Sequence, residues 1–116
     1  MGDWELIQSF INGAKNRNVQ WTRRCIDLGL DVNWTFLHGT KVYTPLEFAI
    51  TQRADAVAAD LIFAGAHFQE TDLGHWLDLA IQYHMGKTLR AFMQTRELRV
   101  NIITSNSFVL QQIGQG

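Results

Sequence analysis

Among the side chains that could serve as nucleophile, base or metal ligand in this 116-residue chain, the rarest are one cysteine, Cys25, and four histidines, His38, His67, His75 and His84. A cysteine nucleophile needs a nearby base or cation to hold it as thiolate, and no histidine stands at a spacing that selects it for Cys25. Zinc sites need ligands at short fixed intervals, whereas these histidines form no i, i+4 pair and have no cysteine partner. Gly86-Lys87-Thr88 resembles the end of a phosphate-binding loop, but the earlier glycine that such a loop requires is replaced by Ile81, and no strand leads into the segment. No Ser-His-Asp grouping can be placed. Acids and bases fall on separate polar faces, so proton transfer in a water-excluding pocket has no candidate residues. Binding rather than catalysis is expected, with no cofactor and no metal.

The elements that would position a binding surface are organised around Thr44 to Gln69, TPLEFAITQRADAVAADLIFAGAHFQ. Thr44 can cap free backbone donors, and Pro45 suits the first helical turn because its missing N–H removes no bond there. Leu46, Phe48, Ala49 and Ile50 form one apolar face; Val57, Ala58, Leu61 and Ile62 form a second after the polar break at Gln52-Arg53. Gly65 can take the left-handed conformation that ends a helix. The stretch predicts a helical hairpin.

Its string resembles the ankyrin repeat, which opens on Thr-Pro-Leu-His-x-Ala and closes on a Leu pair, Gly-Ala-Asp and Val-Asn. Thr44, Pro45, Leu46, Ala49, Leu61, Ile62, Gly65 and Ala66 match in register, with Glu47 in place of the His. Upstream, Cys25 and Ile26 stand for the Leu pair and Gly29, Asp31, Val32 and Asn33 match the close; Phe10, Gly13 and Trp21 then fall where Leu46, Ala49 and Val57 sit. Downstream, Leu77 and Ala80 take the first-helix roles, Leu89, Phe92 and Met93 fill the second helix, and Val100-Asn101 echoes the close. His75-Trp76 replaces Thr-Pro in this third copy and Arg96 replaces the terminating Gly. The resemblance implies an all-α repeat fold, a solenoid of helical hairpins joined by β-hairpins or loops. It divides one domain into repeats over about 3–33, 34–69 and 70–101, with a C-terminal cap over about 102–116. Gly29 to Gly65 spans more residues than the family period and Ala49 to Ala80 fewer, and both irregularities are expected in the connectors, where few buried contacts are touched.

Composition is consistent with one folded domain: 47% of residues are hydrophobic and the net charge is −1, which favours neither nucleic acid nor an anionic membrane as partner. A lone cysteine cannot form an internal disulfide, no apolar run reaches the ~18 residues of a membrane span, and MGDWEL lacks the features of a signal peptide. Leu6 stands where a myristoylation signal at Gly2 would need Ser or Thr. Asn33-Trp34-Thr35 spells a glycosylation acceptor, but without a secretion signal it carries no weight. The chain is expected to be soluble and cytoplasmic.

Trp4 to Ala14 should form the opening helix, capped by Asp3, with Leu6, Ile7, Phe10 and Ile11 inward. Val19 to Leu28 should bury Trp21, Cys25 and Ile26. A thiol on an apolar helical face is expected to be a small core residue. Glu70 to Gly74 should be a short connector bearing Asp72, followed by helices over His75–Tyr83 and Gly86–Thr95. Ser105 to Ile113 should cover the end of the stack with Phe108, Val109 and Ile113.

The connector WTFLHGTKVY, 34–43, carries Trp34, Phe36, His38, Lys41 and Tyr43, with a hairpin turn expected at Gly39. Aromatic residues on a projecting loop supply large contact area at little entropic cost, so these five are candidate partner-binding residues; the opposing reading folds Trp34 and Phe36 back over the helical edge. The resemblance maps further contact positions onto Lys15, Asn16, Thr51, Gln52, Asp72, Gln82 and Tyr83, a mildly charged lining suited to a specific protein. The function implied is a protein-interaction module, a small inhibitor or adaptor such as a toxin immunity protein, an anti-host factor or a regulator. The alternative is self-assembly, as a homodimer, through an apolar patch around Phe63, Phe68 and Trp76.

Overall fold

Thr44 shows why the middle of the chain folds where it does. Its Oγ1 accepts from the Glu47 N–H at 3.1 Å, while the Glu47 carboxylate accepts from the Thr44 N–H at 3.4 Å. With Pro45 at the first helical position, this capping box starts a helix at that point and at no earlier one. In the computed structural model, which describes residues 3–68 and 70–104, three helix pairs follow one another. They are α1 (Asp3–Lys15) with α2 (Val19–Asp27), α3 (Pro45–Thr51) with α4 (Asp55–Phe63), and α5 (Glu70–Gln82) with α6 (Gly86–Thr104). Between the first two pairs stands an antiparallel ribbon of β1 (Phe36–His38) and β2 (Lys41–Tyr43).

The reversal within each pair is built the same way three times. Arg17, Arg53 and His84 each adopt a left-handed conformation, with φ of 54°, 58° and 57°. Each donates its N–H three residues back, to Ala14, Ile50 and Ile81. The next residue donates five back, Asn18 to Gly13, Ala54 to Ala49 and Met85 to Ala80. These paired bonds satisfy carbonyls that the helix end would otherwise leave open. Gly29 and Gly65 close α2 and α4 by the same pattern, and there the positive φ falls on glycine without a steric penalty.

The core is the sum of the contacts between pairs. Leu6, Ile7, Phe10, Leu46, Phe48, Ile50, Val57, Leu61 and Phe92 are all buried. α4 packs on α2, α3 and α6 and is apolar on nearly every side, as a helix surrounded by neighbours must be. Cys25 is a buried core residue, and loss of hydration pushes its thiol above the usual range.

Three polar devices lock one pair to the next. Arg23 on α2 makes a fork to the Asp60 carboxylate on α4, at 2.6 and 3.2 Å, and this bond holds the guanidinium pKa above its ordinary value. Asn33 Oδ1 accepts from the His67 N–H at 2.8 Å. Asp55, the first residue of α4, caps α6 from outside: its carboxylate accepts from the N–H groups of Lys87 and Thr88 at 3.0 and 2.7 Å and from the buried Thr88 hydroxyl at 2.8 Å.

Several expectations change. Helix α5 begins at Glu70, so residues 70–74 are its first turns and Asp72 lies on a helix rather than in a connector. α6, expected to end at Thr95, continues through Thr104, and the expected helix over 105–113 lies outside the described residues. Asp3 is the first residue of α1 rather than a cap preceding it. Trp21 is 49% exposed, because its indole lies over Gly13 at the free side of α1 and donates from Nε1 to the Ser9 carbonyl at 2.9 Å. Met93 also faces outward.

Gly13 is where α1 and α2 come closest: a Cβ there would lie 2.7 Å from Trp21 Cδ1 and 2.8 Å from Thr22 Cγ2. Thr22 is buried and its hydroxyl is tied to the Val19 carbonyl, so it cannot yield. Gly13→Ala should therefore destabilise by about 1–2 kcal/mol in urea unfolding, overpacking outweighing the roughly 1 kcal/mol that alanine gains in a helix. Asp55→Ala should cost about 1–2 kcal/mol. It should also speed hydrogen exchange at Lys87 and Thr88 while leaving the α1 amides unchanged.

Candidate functional site

The ribbon is two-faced because strand side chains alternate. Phe36 pairs with Tyr43, Leu37 with Val42 and His38 with Lys41 across a two-residue turn at Gly39-Thr40. Gly39 has φ of 66° and Thr40 is not left-handed, the sign pattern of a type II′ turn with glycine first. The inner face rests on Phe48, which is wholly buried. Phe36, His38 and Tyr43 meet its ring edge-on at centroid distances of 5.4, 5.1 and 5.4 Å. The outer face presents Leu37 and Val42, 64% and 57% exposed, as an apolar cross-strand pair.

This arrangement corrects the reading of the connector residues. Phe36 is 5% exposed and belongs to the core. His38 and Tyr43 are half-buried and anchor the ribbon, and Lys41 lays its Nζ over the Tyr43 ring at 5.0 Å. Trp34 remains partly exposed while also lining a small crevice with Leu6, Ile7 and Leu30. Leu37 and Val42 were not picked out from the sequence. A strict two-residue alternation on either side of Gly39-Thr40 puts them on the face opposite Phe36 and Tyr43, and that was the available signal.

The positions mapped onto the first helices form a separate row. Lys15 and Asn16, Thr51 and Gln52, and Gln82 and Tyr83 all stand where α1, α3 and α5 end, just before the left-handed residues. Part of this row is spent on joining the pairs. Arg17 donates from Nε to the Gln52 carbonyl at 3.1 Å, and Arg53 stacks on the Tyr83 ring at 4.1 Å. The Thr51 hydroxyl is bonded to the Phe48 carbonyl and the Asn16 amide to the Asn12 carbonyl. The ribbon stands at the start of α3 and this row at its end, about 10 Å apart for seven residues of helix, so the two sets are not one site.

Asp72 instead joins a cleft of about 450 Å³ between the start of α3 and α5, with Thr44, Glu47, His67, Phe68 and Trp76 around it. Connector 28–44 carries the ribbon, whereas α4 and α5 are joined by residues 64–69 alone. Nothing in the residue pattern of this connector announces the cleft.

The apolar patch expected around Phe63, Phe68 and Trp76 does not form. Trp76 is buried, Phe68 packs edge-on against Phe92 at 5.1 Å, and Phe63 stands exposed among Arg23, Lys87 and Arg90 on another face. Among the described residues, no three of His, Cys, Asp and Glu gather to hold a metal ion, and no helix is long and apolar enough to cross a membrane. Comparison with family models, with curated proteins and with solved structures finds no match for this chain. Structurally it belongs to the mainly helical proteins: the described residues form six helices and one small two-stranded sheet.

The two faces of the ribbon should respond oppositely to substitution. Phe36→Ala should destabilise by about 3–5 kcal/mol by emptying the place against Phe48. Leu37→Lys with Val42→Glu, an opposite-charge cross-strand pair, should shift stability by no more than about 0.5 kcal/mol in thermal or urea unfolding.

Proposed function

We propose that this chain is an ankyrin-like protein-interaction module, a small inhibitor or adaptor that grips one protein partner through its projecting ribbon. The recurrence of the same left-handed reversal at Arg17, Arg53 and His84 supports the repeat reading, because these three are spaced as the matched residues of the sequence are. In this reading residues 3–33, 34–69 and the segment from 70 are three successive units, the last altered by its missing ribbon and long α6. The observation that carries the binding role is the outward Leu37–Val42 pair on a ribbon whose other face is fastened to Phe48. An apolar pair held at the end of a fixed element loses little entropy when a partner covers it. A net charge of −1 suits a protein better than a polyanion. The same reading assigns no catalytic step to the chain and places it in the cytoplasm, where a lone thiol such as Cys25 remains reduced.

The test is affinity capture with immobilised wild type beside the Leu37→Lys/Val42→Glu variant, followed by titration of the captured protein. The variant should keep its fold and bind about 30-fold or more weakly, as loss of a hot spot worth about 2 kcal/mol demands. Equal affinity for both would refute the assignment to the ribbon.

A further inference from the structure

We propose that the cleft between the start of α3 and α5 is a subsite for an arginine side chain of the protein partner; this rests on the binding role proposed above. The cleft measures about 450 Å³, ample for one long side chain, and among the described residues its lining includes the carboxylates of Glu47 and Asp72 with the imidazole of His67 and no lysine or arginine. Glu47 is held in place by the capping box, which uses Oε1 and leaves Oε2 to a ligand. Asp72 is exposed on the first turns of α5, and Phe68 and Trp76 provide aromatic wall. Two carboxylates beside aromatic surface match a guanidinium, which is planar, stacks on rings and bridges carboxylates through its forked donors; an ammonium matches only the charge.

Position adds to the match. The cleft is bordered by Thr44, which directly follows β2, so it opens next to the root of the ribbon. The groove around Phe63, by contrast, holds Lys87 and Arg90 beside an Arg23 paired with Asp60, so its excess charge is positive and disfavours a basic partner surface.

The probe is the tripeptide acetyl-Gly-Arg-Gly-amide, with its neutral isostere carrying citrulline in place of arginine. Both are titrated into the ¹⁵N-labelled chain and followed by NMR. The arginine peptide should give saturable shifts at the Trp76 indole N–H and at the His67 and Asp72 amides, and the citrulline peptide should leave them unmoved. Asp72→Asn and Glu47→Gln, which keep shape and capping donors or acceptors, should each weaken the arginine peptide by about fivefold, the scale of an exposed ion pair. Equal shifts from both peptides, or unchanged affinity in Asp72→Asn, would overturn the subsite. Leu37→Lys/Val42→Glu should bind the tripeptide as wild type does. A failed tripeptide with partner capture still lost in that variant removes the cleft alone, and a bound tripeptide with partner capture retained removes the ribbon alone.

Discussion

A pair of short helices is too thin to hide its own apolar side, and this chain meets that constraint by stacking. α4 illustrates it most directly: Val57, Ala58, Ala59, Leu61 and Ile62 are all buried, some against α3 of the same pair and the rest against helices of the neighbouring pairs. Each interface between pairs therefore buries apolar surface of both partners. The polar links follow the same direction, from Arg23 to Asp60, from Asn33 to His67 and from Asp55 to the first turn of α6. Every buried polar side-chain atom among the described residues has a partner, so these links complete the stack without leaving a desolvated group behind.

The ribbon depends on that stack through one ring. Phe48 is buried at the centre of an aromatic group made by Phe36, His38 and Tyr43, and these contacts hold the strands in the orientation that turns Leu37 and Val42 outward. A two-stranded hairpin is marginal in water when it stands alone. Here its inner face is part of the core and its outer face, Leu37 and Val42, is exposed. Of the aromatic residues in the connector, Phe36 and Tyr43 root the ribbon on Phe48, while Trp34 stays exposed.

Much of the architecture was legible. The Thr44-Pro45 start, the helix stop at Gly65, the turn at Gly39 and the buried faces of the middle pair are local events, each dictated by a residue whose backbone or capping chemistry allows little else. Legibility failed where a local pattern competed with a tertiary one. Glu70 to Gly74 reads as a polar connector, yet Leu73 and Trp76 find buried places beside the third pair and draw the helix back to Glu70. Trp21 reads as part of the buried face of α2, but its indole lies over Gly13 and stays half exposed. The candidate contact residues separated into a ribbon set and a row at the helix ends because sequence spacing does not reveal which end of a helix faces which element.

From the chain of residues alone came the helix starts and stops, the paired apolar faces and the turn, since capping, left-handed glycine and side-chain periodicity act over a few residues. Only the tertiary structure decided which ring of the connector is core, that Leu37 and Val42 face outward, that Asp55 caps a helix more than thirty residues away, and that an acidic cleft opens beside α5. Those outcomes depend on which elements end up adjacent, and adjacency is set by the burial of whole faces rather than by any short run of residues.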